Sequence, residues 1–213
     1  TDASGKGSLV YGKTSGYIQS LELVLADGSD NHVQAQDLAQ LEQSTLQPIY
    51  QQIEQQRAEI DRVFPVMDRG LSGYNLQHSI ARPGHFDPCF LISGSEGTLG
   101  ITRRMTLRVI PRPTHKILTV IFYSNFQRAL EHIQPLLKTR PSAIEILDDK
   151  VLKRARNDAV WFDVQSVLSD LPDDIEIQAA NFVEHVGYNQ QQMELARQTI
   201  EQNLQDSAHS YLV

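Results

Sequence analysis

The run in this 213-residue chain best suited to chemistry is Ser93-Gly94-Ser95-Glu96-Gly97-Thr98-Leu99-Gly100-Ile101. Gly94, Gly97 and Gly100 lack a Cβ, so they let the backbone approach a ligand closely or turn at positive φ. The small residues between them leave backbone N–H groups exposed to an anion such as a phosphate. A plain glycine-rich turn between strands would use the same residues. Near the start, Gly7-Ser8-Leu9-Val10-Tyr11-Gly12-Lys13-Thr14 has Walker A spacing, in which a glycine loop cradles phosphates ahead of a helix. Its context is missing. No apolar strand precedes Gly7, a strand is expected after it, and Leu9-Val10-Tyr11 is bulky where a cradle needs small residues. The histidines (His32, His78, His85, His115, His132, His185, His209) lack metal-ligand spacing such as H-x-x-x-H, so no metal site is expected. Cys89, the single cysteine, sits between Pro88 and Phe90 and reads as a small packed side chain.

The elements that must position these residues follow from periodicity. Residues Thr1–Gly16, rich in Gly, Ser and Lys, read as loop. From Tyr17 the pattern alternates, with Leu21, Leu23 and Leu25 on one face; Asp27-Gly28 turns the chain and His32-Val33 begins a return strand. Asp37 is placed to cap a helix through Leu46, and Pro48 suits the first turn of another. Ile49, Ile53, Ile60 and Phe64 repeat at helical spacing until Pro65. Gln47, Gln51, Gln52, Gln55 and Gln56 form the solvated face, and the apolar stripe is core or a docking surface. Gly70–Asn75 reads as a turn and Arg82–His85 as a loop. Phe90–Ile92 and Thr106–Ile110 are expected to be neighbouring strands flanking the glycine loop. Pro111-Arg112-Pro113 breaks helix and strand alike and marks a domain boundary.

Beyond it the order is strand (Lys116–Tyr123), helix capped by Asn125 and interrupted at Pro135, then strand (Ala143–Leu147). Helices Asp149–Arg156 and Ala159–Leu168, strand Ile175–Val186, helix Gln190–Gln205 and strand Ser210–Val213 follow. That is the order of a ferredoxin-like split βαβ sheet.

Three ordered segments then carry a resemblance. Ser93–Ile101 resembles the GSEGTLGI segment of FAD-linked oxidases of the vanillyl-alcohol-oxidase (PCMH) type. Thr1–Gly5 with Tyr11-Gly12 and Leu21–Gly28 resembles that family's TNASG…YG…LEVVLADG run, and Gly73-Tyr74-Asn75-Leu76 is similar to its TGYDL. The helical insert and the long connection from Gln77 to Ile92 look closest to the large D-2-hydroxyglutarate dehydrogenases, which add an iron–sulfur module. The resemblance implies an α+β chain. Residues 1–112 would be the second part of a PCMH-type FAD-binding domain, with a helical insert at about 36–66. Residues 113–213 would begin the cap (substrate) domain, which also matches at Glu145–Asp148 and Phe182–Glu184. It implies FAD contacts from Thr1, Asp2, Ala3, Ser4 and Gly5, and from Gly94, Ser95, Glu96, Gly97, Thr98, Leu99, Gly100 and Ile101. Glu96 would hydrogen-bond a ribose hydroxyl or satisfy neighbouring backbone N–H groups. The implied reaction is oxidation of a D-2-hydroxy acid, D-2-hydroxyglutarate or a D-lactate-like relative, by hydride transfer to flavin and on to an acceptor.

Two departures stand out. Asp2 occupies a position where the family often has Asn, bringing a carboxylate toward a phosphate site unless it is paired. Arg103 and Arg104 follow the loop where Thr and Glu are usual.

Because the family's N-terminal glycine loop, substrate arginine and metal-binding histidines have no counterpart here, the chain reads as a piece of a longer protein. No catalytic pair is assigned from His85, His185 or the carboxylates. The piece alone is expected to be inactive, to hold FAD weakly or not at all, and to self-associate through apolar surface cut from its partner half. Composition is ordinary for a globular chain, at 40% hydrophobic and 21% charged. A net charge of −7 argues against a nucleic-acid partner. No apolar run approaches the roughly 20 residues that span a bilayer, and a lone cysteine fits a reducing, cytoplasmic setting. The rival readings are a non-enzymatic ferredoxin-like protein-binding module and a phosphate-loop nucleotide binder at Gly7–Thr14.

Overall fold

The structure is a computed structural model that describes residues 2–42, 44–65, 73–155, 157–159, 162, 176–204 and 210–212. The chain forms two compact units, one of residues Thr1–Gly5 and Gly12–Ile110, the other of Lys6–Tyr11 and Pro111–Val213.

A short helix, α1 (Ser8–Tyr11), belongs to the second unit and corrects the expectation that Thr1–Gly16 is all loop. It also removes the phosphate cradle. The N–H groups of Val10 and Tyr11 donate to the Gly7 carbonyl, 3.1 and 2.9 Å away, so an anion finds them occupied. After Lys13 comes a single 3-10 turn, Thr14–Tyr17, and then a strand.

In the first unit, β1 (Ile18–Val24) pairs antiparallel with β2 (Asp30–Gln34) across the Asp27-Gly28 turn, as the alternation predicts. Leu21, Leu23 and Val33 are buried on one face with Ile18 and Cys89, each large aliphatic side chain contributing about 2 kcal/mol. The bridge β3 (Gln36–Asp37) and one-turn helix α2 (Leu38–Leu41) follow. Asp37 caps no long helix. It pairs in β3, with its carboxylate 2.5 Å from His85 Nδ1. Helices α3 (Gln47–Gln55) and α4 (Arg57–Val63) form the insert, with Pro48 in the first turn of α3. Phe64, preceding Pro65, is extended because the proline ring disfavours helix there. The insert's stripe is core: Ile53 and Ile60 pack with Leu41, Ile80, Phe86 and Leu91.

Helix α5 (Leu76–Ser79) and strand β4 (His85–Phe86) lead to α6 (Cys89–Ser93). The predicted strand at Phe90–Ile92 is therefore a helix. Asp87 accepts a hydrogen bond from the Cys89 N–H at 3.0 Å, and Pro88 holds helical φ, together a helix start. Strand β5 (Ile101–Leu107) begins earlier than predicted and neighbours β1 rather than Phe90–Ile92, giving the sheet order β2-β1-β5. Leu21 faces Met105 across that pairing, and Glu22 faces Arg104. Of the predicted Gly70–Asn75 turn, residues 70–72 lie outside the described residues.

In the second unit, β6 (His115–Tyr123) is followed by α7 (Phe126–Glu131), α8 (Ile133–Leu137) and β7 (Ala143–Asp148). Asn125 caps α7 through the Gln127 N–H at 2.7 Å. The break at His132 falls where Pro135, lacking an N–H, cannot bond back to Glu131. Helix α9 (Asp149–Ala155), β8 (Ala179–Gly187), α10 (Gln190–Leu204) and β9 (Ser210–Leu212) complete a four-stranded antiparallel sheet, β7-β8-β6-β9. This is the split βαβ topology anticipated from the order of elements. Strand β8 starts later than predicted, at Ala179, and Ile175 lies outside the described residues, as does most of the predicted helix Ala159–Leu168. Ile121, Tyr123, Ala129, Leu136, Val183 and Ile200 form the helix-side core.

Two histidines in this unit give a pH dependence. Thr139 Oγ1 donates to the Leu136 carbonyl at 2.7 Å, so His185 Nε2 must donate to Thr139, whose Oγ1 is 2.9 Å away. His185 Nδ1 is then buried with no hydrogen-bond partner among the described residues, and burial holds the ring below its ordinary pKa. Burial, helped by Arg128, also lowers His132. Both groups bind protons more readily unfolded, so stability is full above about pH 6.5 and is lost as pH falls through that value. Thermal unfolding followed from about pH 7.5 to pH 5 is expected to fall steadily, with a shallower slope in His185→Gln.

Candidate functional site

The glycine loop leaves the C-terminus of α6 and is pinned there first. Ser95 is buried, and both its N–H and its Oγ donate to the Ile92 carbonyl, at 3.1 and 2.8 Å. Glu96 and Gly97 then have φ of 52° and 86°, and the Thr98 N–H donates to the Ser95 carbonyl at 3.0 Å. Positive φ at both central residues with that bond makes Ser95–Thr98 a type I′ turn. Such turns favour Gly, Asn or Asp at the first central position, so Glu96 is held against its own preference. Gly100, at φ 144°, lets the loop settle onto β1: a Cβ there would lie 3.1 Å from the Val24 carbonyl oxygen.

Below the loop lies a cleft of about 280 Å³. It is lined by apolar Ile18, Leu21, Ile92 and Met105 and by polar Thr14, Ser93, Ser95 and Glu96. The Ser93 Oγ is buried and has no hydrogen-bond partner among the described residues. Gly97, Gly100 and Ile101 also border the cleft, whereas Leu99 turns into a separate apolar cavity of about 670 Å³ between β1, β2 and the insert. The Glu96 carboxylate makes no hydrogen bond among the described residues, which corrects the expectation that it satisfies neighbouring backbone N–H groups.

Asp2 reaches this site through the 3-10 turn. Its carboxylate accepts from the Ser15 N–H at 2.9 Å and from Ser15 Oγ at 3.0 Å, which fixes Thr14 at the cleft rim. Both oxygens of the carboxylate are thus taken up inside the fold by neutral donors, which hold the group in place without cancelling its charge. Ala3, Ser4 and Gly5 are exposed coil and do not line the cleft, while Thr1 lies outside the described residues. Arg103 and Arg104 are spent on the sheet: Arg103 contacts Glu22 and Asp30 at 3.2 and 3.1 Å, and Arg104 contacts Glu22 at 3.1 Å. Thr14, Ile18, Leu21 and Met105 were not anticipated as lining residues. Their one signal was the alternation of β1, which places Leu21 inward without saying that β5 lies beside it.

Among the described residues no group of three or more His, Cys, Asp or Glu side chains is arranged to hold a metal. No helix there is long and apolar enough to cross a membrane. Cys89 is fully buried, and its thiol is pushed up by that burial and by the neighbouring Asp87 carboxylate. The native chain is expected to resist thiol-directed alkylation, with labelling appearing only as the chain unfolds. Rapid labelling of the folded chain would contradict this packing.

No family model matches the chain. It is 36% identical over 197 residues to the D-2-hydroxyglutarate dehydrogenase of Escherichia coli (strain K12), covering 88% of this chain and 19% of that protein. The D-2-hydroxyglutarate dehydrogenase of Pseudomonas putida is 34% identical over 214 residues, covering 96% of this chain and 21% of the relative. Among solved structures, an alkyldihydroxyacetonephosphate synthase superposes on the whole chain with a TM-score of 0.58 at 15% identity, over 32% of its own length, which is a likeness of fold. The chain spans about a fifth of the length of the curated relatives it matches. Across nearly all of its residues, then, this α+β chain is a homologue of the D-2-hydroxyglutarate dehydrogenases, with a fold of the PCMH type.

Proposed function

We propose that this chain forms one wall of the FAD site, and the first part of the substrate-covering cap, of a dehydrogenase acting on a D-2-hydroxy acid. Residues 1–112 serve the flavin side, with their helical insert at about 36–66, and residues 113–213 serve the cap. The observation that carries this reading is the cleft beneath the Ser95–Thr98 turn, with its orphaned Ser93 hydroxyl. The donor set fits a nucleotide. Hydroxyls of Thr14 and Ser93 and the backbone of Gly97 and Gly100 suit phosphate and ribose oxygens, and the apolar lining suits a ring face. Glu96, which lines the cleft and makes no hydrogen bond among the described residues, is suited to accept from a ribose hydroxyl.

When bound, FAD supplies the hydride acceptor for the substrate C2–H. The chain's own residues bind and orient: Asp2 locks Ser15, Ser15 fixes Thr14, and Ser95 fixes the turn. D-2-hydroxyglutarate is the favoured substrate, on the strength of the relatives' names, and a D-lactate-like acid is the neighbour in chemistry. Electrons pass onward to an acceptor, with an iron–sulfur module outside these residues as the route, in the cytoplasm. Exposed Ile101, Met105, Leu107, Val109 and Ile110, the first 70% and Val109 87% accessible, support self-association of the chain when isolated.

Titration of FAD into the chain, followed by flavin fluorescence, tests the reading of a partial site. Weak uptake without D-2-hydroxyglutarate oxidation is expected. Tight stoichiometric uptake would mean that the wall is the whole site.

A further inference from the structure

We infer that Tyr74 is a positioning residue for the glycine loop: its phenol braces Thr98 and so holds the strained Ser95–Thr98 turn in the shape that faces the cleft. The inference rests on the flavin reading for the identity of the ligand, but not for the brace itself.

The direction of each bond follows from proton counting. Thr98 Oγ1 lies 2.7 Å from the Ser95 carbonyl and 2.8 Å from Tyr74 Oη. A hydroxyl has one proton to give. Thr98 gives its proton to Ser95, so Tyr74 must donate to Thr98. The Ser95 carbonyl therefore receives both donors of Thr98, the hydroxyl and the N–H at 3.0 Å. Ser95 in turn is bonded twice to Ile92. The result is a continuous chain of bonds, Tyr74 to Thr98 to Ser95 to the end of α6. It closes the base of the turn and leaves Glu96 and Gly97 as its tip.

The same segment bounds the loop on a second side. A Cβ on Gly94 would meet the Gly73 carbonyl oxygen at 3.3 Å, so Gly73-Tyr74 lies directly against the loop's first glycine. A non-glycine residue at φ 52° persists only where its surroundings over-determine it. Those surroundings are Gly73 and Tyr74 at one end and Ser95 at the other. Within the loop the two bonds from Thr98 to the Ser95 carbonyl close the turn, and Tyr74 fixes the Thr98 hydroxyl that makes one of them. Tyr74 touches neither the cleft nor its rim, so its effect on a ligand passes through Thr98.

The test is residue-resolved amide hydrogen exchange on the whole chain, in the wild type, Tyr74→Phe, Thr98→Val, the double variant and Thr98→Ser. Tyr74→Phe is expected to speed exchange of the Thr98 amide by about fivefold, the size that one net hydrogen bond carries, and Thr98→Val, which also removes the hydroxyl bond to the Ser95 carbonyl, by more. The double variant should be no faster than Thr98→Val alone, because that change already removes the partner of Tyr74, and Thr98→Ser should match the wild type. Thermal unfolding should fall by only a few degrees in Tyr74→Phe, the size of one net hydrogen bond. An unchanged Thr98 amide in Tyr74→Phe, or effects that add in the double variant, would overturn the brace. A parallel exchange run with FAD separates the two readings. If Tyr74→Phe loosens the turn but FAD leaves the wild-type loop untouched, the brace stands and the flavin assignment fails. If FAD protects the wild-type loop yet Tyr74→Phe leaves the turn unmoved, the brace alone is wrong.

Discussion

Gly100→Ala is expected to lower the stability of the first unit by about 3 kcal/mol and to abolish any nucleotide contact made by the glycine loop. The backbone at φ 144° is open to glycine and strained for any residue with a Cβ. The added carbon would also stand 3.1 Å from the Val24 carbonyl oxygen and 3.3 Å from Leu25 Cδ2, so β1 or the loop must give way. Neither gives easily, since Val24 pairs with Ile101 at the start of β5. Gly97→Ala is the matched control. It shares a positive φ, but its Cβ would meet nothing within 4 Å, and the expected cost is about 1 kcal/mol. Urea unfolding of the two variants distinguishes them. Equal midpoints would show that the contact with β1 is not what demands glycine at position 100.

Phe86→Ala is expected to be the costliest single truncation in the first unit, at about 3–5 kcal/mol. Phe86 is fully buried, tilted against Tyr50 with ring centroids 5.7 Å apart, and it joins α3, α4 and α6 in one core. The cavity of about 670 Å³ already borders Phe86, so its removal enlarges a void that the insert cannot fill by collapse. The denaturation midpoint reads the loss. A change within the range of surface substitutions would mean that the insert closes over the gap.

Phe86 also illustrates what the sequence could not reveal. It lies in a two-residue bridge with Gln36, a pairing of residues fifty positions apart with no local period to announce it. Strands β1, β2, β6, β7 and the helix Gln190–Leu204 were legible, because alternation or helical spacing extends over enough residues to be counted. The four apolar residues of α6 were not. A run that short has no period, and the cue lay outside it, in the Asp87 carboxylate that bonds the Cys89 N–H. The glycine loop was legible as a backbone-exposing segment. What escaped was the conformation of Glu96, since positive φ at a glutamate is imposed from Tyr74 and Ile92 rather than encoded by the residue. Asp2 was legible as a charge in an awkward place, and its partner Ser15 was not, because a side-chain contact across thirteen residues of irregular chain leaves no pattern.

The proposed meeting point of FAD with this chain is the cleft below Ser95–Thr98. Amide resonances recorded during FAD titration test it most directly. Shifts concentrated at Thr14, Ser15 and Ser93–Ile101, weakened in Gly100→Ala, are the predicted result. Saturating FAD that leaves those amides in place, or that moves only amides elsewhere, would contradict it.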